Sequence, residues 1–78
     1  MKEMNQAEQY AYLRKLVRME MPFGKYKGRL LIDLPDHYLA WFAREGFPKG
    51  QLGDMLTIIH ETRLNGGGEI FRELRKHA

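Results

Sequence analysis

Apolar residues in the first part of the chain recur at the spacing of an α helix. At 100° per residue, one apolar stripe along the predicted helix contains Tyr10, Leu13, Leu16 and Val17. Asn5 precedes this stripe with Glu8 three residues later, an arrangement that resembles a capping box. The pattern predicts an N-terminal helix over about residues 5–19.

Two further helices are predicted in the second half of the chain. The first follows Pro35, a residue that suits the first turn of a helix, and should end at Gly46. The second covers about residues 51–64, where apolar side chains form a broad stripe. Three glycines then precede residues 69–76, so the sequence leaves open whether the segment 67–78 adds a fourth helix.

Between the first two helical patterns lies a segment with the features of a turn. Residues 24–28 read Gly-Lys-Tyr-Lys-Gly, and the short apolar run 29–32 follows them. Two extended segments joined by a loop with glycine at each end predict a β-hairpin. Gly24 and Gly28 are expected at positive φ, because they have no Cβ to clash there.

Together these elements predict one α+β domain over residues 1–78, in which a β-hairpin packs against three to four helices. With 78 residues and no cysteine, the chain must build its core from apolar packing without disulfides. An isolated hairpin is marginal in water, so this one would depend on the helices that cover it.

Three aromatic residues share one face of the helix after Pro35. They are Tyr38, Trp41 and Phe42, at spacing i, i+3 and i+4. Such a face more often belongs to a core than to a stacking platform, and we expect it to be the aromatic centre of the core. Trp41 is predicted to lie beneath the hairpin and to hold the basic turn in position. A surface platform for bases is the alternative.

The composition predicts a cytoplasmic protein with no membrane partner. Residues 1–6 are polar and mixed in charge, which is unlike a secretory signal. No run approaches the roughly 20 apolar residues of a membrane-spanning helix. The lack of cysteine fits a reducing compartment. The oligomeric state stays open.

Positive charge is concentrated in the first part of the chain. The net charge is +3, and residues 1–29 hold seven basic and three acidic residues, against six and seven in the remainder. A basic front half favours an anionic partner such as nucleic acid, an acidic protein or a lipid surface. Ordinary scatter of charge on a solvated surface is the alternative.

The predicted turn carries the strongest candidate binding site. Lys25, Lys27 and Arg29 place three cations within five residues, with the ring of Tyr26 among them. Cations contact phosphates, an aromatic face can stack on a base, and flanking glycines allow a close approach. The alternative is an exposed polar turn in which Tyr26 packs on a neighbour.

Arg14 and Arg18 extend this candidate surface. They lie one helical turn apart and repel each other unless an anion or an acidic side chain is close. If they flank the turn, the basic surface becomes continuous. Pairing with Asp54, Glu61 or another acidic residue inside the protein is the alternative.

The chain offers no constellation for catalysis or metal binding. His37, His60 and His77 have no ligand-like spacing, and the sequence has neither cysteine nor serine to act as an activated nucleophile. Asp33 and Asp36 are explained by the start of a helix, whose positive end they complement. We therefore expect no enzyme activity, no cofactor and no metal.

An ordered string of motifs resembles a known family. It begins with Met-Pro-Phe-Gly-Lys-Tyr-Lys-Gly at residues 21–28, continues with Asp-Leu-Pro at 33–35, and ends with Leu-Asn-Gly at 64–66. Over residues 21–66 the chain is similar to small bacterial proteins of unknown function, catalogued as putative quorum-sensing-regulated virulence factors. It departs from their pattern after Asn65, where two further glycines replace an expected leucine-rich continuation.

A shorter string also resembles the C-terminal module of exodeoxyribonuclease-X-like nucleases. The matching residues are Phe-Gly-Lys-x-Lys-Gly at 23–28, followed by Pro35 and then Tyr38-Leu39-x-Trp41. The resemblance implies a DNA-associated role for Lys25 and Lys27. The carboxylates of the nuclease domain have no counterpart here, so the resemblance does not extend to nuclease activity.

The resulting hypothesis is a non-catalytic accessory module that contacts DNA or RNA phosphates through the basic turn. The alternative is a protein-interaction module with a regulatory or virulence-associated role, in which the same turn docks to an acidic protein.

Overall fold

The fold is built from helices. The computed structural model describes residues 4–77, and within that range the elements are α1 (Gln6–Arg18), a 3₁₀ turn (Leu31–Asp33), α2 (Asp36–Glu45), α3 (Gln51–Leu64) and α4 (Glu69–Lys76). No strand occurs among these residues. The one β-type pairing given for them is an isolated antiparallel bridge between Glu20 and Leu30.

The predicted α+β fold with a β-hairpin is therefore wrong. Residues 29–32 were expected to form a strand, but Leu31 and Ile32 enter the 3₁₀ turn and both are buried. Successive side chains of a strand point to opposite faces, so only one of the two could have reached a core on one side of the chain. The tighter turn brings Leu31, Ile32 and then Leu34 into the same apolar cluster.

The helix predictions from local patterns are confirmed. Helix α1 begins after Asn5, whose side-chain oxygen accepts a hydrogen bond from the backbone N–H of Glu8 at 2.8 Å. Helix α2 ends before Gly46, and α3 covers the range 51–64. Residues 69–76 also form a helix, which the buried ring of Phe71 anchors in the core.

The core lies where these helices and the 3₁₀ turn meet. Every described element contributes to it, and α1 packs against both α4 and the 3₁₀ turn, while α3 packs against α2 and the same turn. No polar or charged residue among the described residues is buried. The core consists of Leu16, Val17, Met21, Leu31, Ile32, Leu34, Leu39, Phe42, Met55, Leu56, Ile59 and Phe71.

The start of α3 packs tightly against the preceding loop. Gly53 is buried in its first turn, and a Cβ at this position would lie 1.6 Å from the carbonyl oxygen of Pro48. Phe47 stacks on Phe42 of α2, with ring centroids 6.0 Å apart. The glycine is therefore required for the close approach of two backbones that connects α2 to α3.

A guanidinium group joins α3 to the segment before α2. Arg63 donates hydrogen bonds to the carbonyls of Ile32 and Leu34, and it pairs with Asp36 at 3.0 Å. Its side chain is only 20% exposed. Since the two carbonyls lie where the chain leaves the 3₁₀ turn, Arg63 supplies donors that no neighbouring backbone offers there.

Gly53→Ala should lower the free energy of unfolding by about 3 kcal/mol, because the new methyl group forces two backbones apart. Urea denaturation followed by circular dichroism measures the change. Gln51→Ala, an exposed position in the same turn of α3, is the matched control and should leave stability within about 0.5 kcal/mol. Equal stability of both variants would contradict the close approach.

Arg63→Met should cost about 2–3 kcal/mol, since it keeps an unbranched apolar stem like that of arginine but leaves two carbonyls without their charged donor. Arg72→Ala is the control, because Arg72 forms an exposed pair with Glu69 at 3.5 Å and should contribute less than about 0.5 kcal/mol. Chemical denaturation of the two variants tests the contrast. A methionine variant as stable as wild type would refute the structural role of Arg63.

Candidate nucleic-acid interface

Residues 24–29, named here the basic loop, form a closed turn with a defined backbone. The N–H of Met21 donates to the carbonyl of Arg29 at 2.7 Å, and the N–H of Gly28 donates to the carbonyl of Met21 at 2.8 Å. Gly24 has a φ of 79° and Gly28 a φ of 90°, which confirms the prediction of positive φ. The loop thus has the glycine geometry expected of a tight turn although no hairpin forms.

The basic loop carries three exposed cations, and two of them lie close to the ring of a half-buried tyrosine. The Nζ of Lys25 lies 5.6 Å from the centroid of the Tyr26 ring, and the guanidinium carbon of Arg29 lies 5.3 Å from it. Lys27, the third cation, is exposed. These distances are typical of cation–π contacts, so the ring helps to hold two of the positive charges at the surface.

Tyr26 also connects the basic loop to α2. Its ring meets Tyr38 edge to face with a centroid distance of 4.7 Å, and its hydroxyl lies 3.4 Å from Nε2 of His37. A Cβ on Gly24 would touch the hydroxyl of Tyr38 at 3.4 Å. Tyr26 therefore has packing partners on the protein, in addition to its predicted place among the binding residues.

The prediction that Trp41 belongs to the core is wrong. Trp41 is 45% exposed, whereas Leu39 and Phe42 of the same helix are buried. Leu39 and Phe42 are three residues apart and direct one face of α2 into the core. Trp41 lies 100° from Phe42 around the helix and turns away from that face. Its place at the surface agrees with the position that the alternative requires, while stacking on a base stays a prediction.

Trp41 stands beside a surface depression between the basic loop and α2. Its ring is nearly parallel to that of Tyr38, with an interplanar angle of 5° and centroids 6.5 Å apart. The depression, named here the aromatic groove, has a volume of about 530 Å³. It is lined by Lys25, Tyr26, His37, Tyr38, Ala40, Trp41 and Arg44.

The charged side chains that line the groove are all basic. Its lining holds two permanent cations, Lys25 and Arg44, and no carboxylate. Burial raises the pKa of the Tyr38 phenol, and the neighbouring Tyr26 raises it further. The Tyr38 hydroxyl therefore remains neutral at physiological pH and adds no negative charge to the groove.

Arg14 and Arg18 lie outside this groove. Both are exposed on α1, and the Arg14 guanidinium carbon is 5.1 Å from the ring centroid of Tyr10. Among residues 4–77 the ion pairs involve other cations, so the structure does not show Arg14 or Arg18 pairing with Asp54 or Glu61. It also does not bring them into the lining of the groove.

Sequence reasoning missed two groove residues that it could have found. His37, Trp41 and Arg44 follow each other at spacings of four and three along α2, which places them on one side of the helix. This spacing indicates a shared surface for the three residues, but the aromatic pattern favoured a core position for Trp41 together with Tyr38 and Phe42. Once Trp41 is placed at the surface, the same periodicity brings His37 and Arg44 beside it.

The described residues do not form a metal site. Across residues 4–77, no group of three or more His, Cys, Asp or Glu side chains is arranged to hold a metal ion. Asp36, the first residue of α2, pairs with Arg63 at 3.0 Å.

Among residues 4–77, no helix is both long enough and apolar enough to cross a membrane.

Comparison with known proteins identifies the family. The family described as "Putative quorum-sensing-regulated virulence factor" matches residues 9–74. The chain belongs to this family. The match confirms the resemblance inferred from residues 21–66, and it extends that resemblance into α1 and α4.

Two curated relatives are close in sequence. The "Uncharacterized protein YpeB" of Escherichia coli (strain K12) is 49% identical over 57 residues, which cover 72% of this chain and 79% of the relative. The protein of the same name from Escherichia coli O157:H7 matches with the same identity and coverage. No solved structure matches the chain significantly.

Trp41→Ala should reduce stability by only about 1–2 kcal/mol, because the exposed ring packs on neighbouring rings without filling a closed cavity. Phe42→Ala, one residue along the same helix, should cost about 3–5 kcal/mol, because its buried ring does leave a cavity. Thermal and urea denaturation compare the two. A larger loss of stability for Trp41→Ala than for Phe42→Ala would place the indole back in the core.

Proposed function

We propose that this chain is a non-catalytic accessory module of the cytoplasm that binds nucleic-acid phosphates through its basic loop. The proposal rests on one observation: exposed cations lie beside an aromatic groove whose lining contains no carboxylate. Lys25 belongs to both the loop and the groove, and Arg44 of α2 adds a cation to the groove wall.

The cations of the basic loop are available to a partner. The three ion pairs found among residues 4–77 engage Arg63, Arg72 and Lys76, and none engages the loop. Lys25, Lys27 and Arg29 are all exposed. When exposed cations bind a nucleic acid, they release its condensed counterions. This release supplies most of the affinity of non-specific binding.

The backbone of the loop supports the same function. Two hydrogen bonds from Met21 and Gly28 close the turn, so its side chains project from a fixed base. Phosphate contacts position a nucleic acid without reading its bases. We therefore expect little sequence selectivity from the loop. The resemblance of residues 23–28 to a module beside nuclease domains points in the same direction and stays a prediction.

Replacing Lys25, Lys27 and Arg29 together with Ala should weaken binding of DNA and RNA oligonucleotides by a similar factor for every sequence. The slope of log affinity against log salt should become shallower by roughly 0.7 for each cation that no longer neutralises a phosphate of a single strand. Fluorescence anisotropy of labelled oligonucleotides over a range of salt concentrations measures both effects. Circular dichroism confirms that the variant is folded.

A matched control removes three cations from α4 instead, as Arg72→Ala, Arg75→Ala and Lys76→Ala. Both triple variants lose the same formal charge, so a general charge effect would weaken binding equally in each. The proposal requires the loop variant to bind much more weakly than the control. A folded wild-type protein with no affinity for any oligonucleotide at low salt would refute it, and binding of poly-glutamate in its place would support docking to an acidic protein.

A further inference from the structure

We infer that the aromatic groove holds an unpaired base stacked on Trp41, so that the nucleic acid this module binds is single-stranded. The inference rests on the proposed function, and it assigns binding roles to Trp41, His37 and Arg44. It concerns base contacts in the groove, whereas the proposed function concerns phosphate contacts at the basic loop.

The exposure of Trp41 is the first observation. Trp41 is 45% exposed, so much of a large apolar side chain is in water, although two aromatic neighbours on α2 pack against its ring. Tyr38 lies nearly parallel to the indole, and Phe42 meets it edge to face with a centroid distance of 5.1 Å. Packing on these two rings holds the indole in one orientation, as a stacking platform requires.

The arrangement of charge around Trp41 is the second observation. His37 lies one helical turn before Trp41 and Arg44 one turn after it, and all three line the groove. Lys25 approaches from the basic loop, also within the lining. A base on the indole would thus have cations near the sugar-phosphate chain that carries it. This complementarity favours a nucleotide over an uncharged apolar ligand.

The size and openness of the site fit one nucleotide of a longer strand. A volume of about 530 Å³ lies within the range of small-ligand sites, roughly 300–1,000 Å³. The groove opens to the surface beside the exposed basic loop, so a strand could continue over Lys27 and Arg29. The loop and the groove then contact different parts of the same ligand.

The chemistry of stacking selects for an unpaired base. In a duplex both faces of a base are covered by its neighbours, so an indole on the protein surface has no face to stack on. In a single strand the faces are accessible, and every base offers one. Stacking therefore adds affinity for single strands without strong sequence preference, whereas the cations of the loop bind either form.

The test compares three probes with the same fluorescent label: an oligothymidylate of about twelve nucleotides, an abasic strand of equal length, and a duplex. The abasic strand keeps the phosphates but has no bases. Wild type should bind the oligothymidylate about 10-fold or more tightly than the abasic strand. Trp41→Ala should bind both strands alike, and its salt slope should equal that of wild type.

Tyr10→Ala is the matched control, because Tyr10 is an aromatic residue of α1 that is 47% exposed and lies outside the groove lining. It should keep the wild-type preference for the oligothymidylate. Trp41→Phe, which keeps a smaller ring, should retain part of that preference. Trp41 is the single tryptophan of the chain, so quenching of its fluorescence by the unlabelled oligothymidylate reports stacking in the unaltered protein.

The outcomes separate the two proposals. If wild type binds no probe, the proposed function fails and this inference fails with it. If wild type binds the oligothymidylate and the abasic strand equally, or binds the duplex as tightly as the oligothymidylate, phosphate binding stands and base stacking is refuted. An unchanged preference in Trp41→Ala, or tryptophan fluorescence that the oligothymidylate does not alter, also refutes it.

Discussion

The position of α2 depends on the interaction between Arg63 of α3 and the segment that precedes α2. The Arg63 guanidinium donates to the carbonyls of Ile32 and Leu34, and its partner Asp36 is the first residue of α2. Ile32 lies within the 3₁₀ turn and Leu34 directly after it, before α2 begins. In a sheet these carbonyls would be paired by a neighbouring strand. Here one side chain of α3 provides the donors, at 20% exposure, where solvent competes less than it does for a surface pair.

The position of α2 in turn decides which of its side chains face water. With its beginning held against α3, α2 places Leu39 and Phe42 in the core and leaves Trp41 at the surface. Tyr38 lies between these two environments and contacts Tyr26 of the basic loop at a centroid distance of 4.7 Å. The aromatic groove is thus formed jointly by α2 and the basic loop, and neither element would form it alone.

The separation of apolar and charged groups is sharp for such a small protein. No polar or charged residue among those described is buried. The ion pairs found there are exposed, except that the Arg63 side chain is partly buried. Stability therefore depends on apolar packing, on the close approach at Gly53 and on Arg63. The cations of the basic loop and the exposed face of Trp41 are outside this framework. They are groups that a partner can contact without disturbing the core, which is why we place the proposed binding surface there.

The sequence by itself determined the features that depend on neighbours along the chain. The first three helices, the cap at Asn5 and the positive φ of Gly24 and Gly28 follow from hydrogen bonds within a few residues or from a missing Cβ. The helical spacing of Tyr38, Trp41 and Phe42 is equally local. Only the tertiary structure decided that residues 29–32 turn instead of pairing as a strand, and that Trp41 faces water. Helical spacing gives the angles between side chains but not the direction of the core. That direction depends on contacts such as those of Arg63, whose partners lie about thirty residues away along the chain and leave no periodic signal in the sequence.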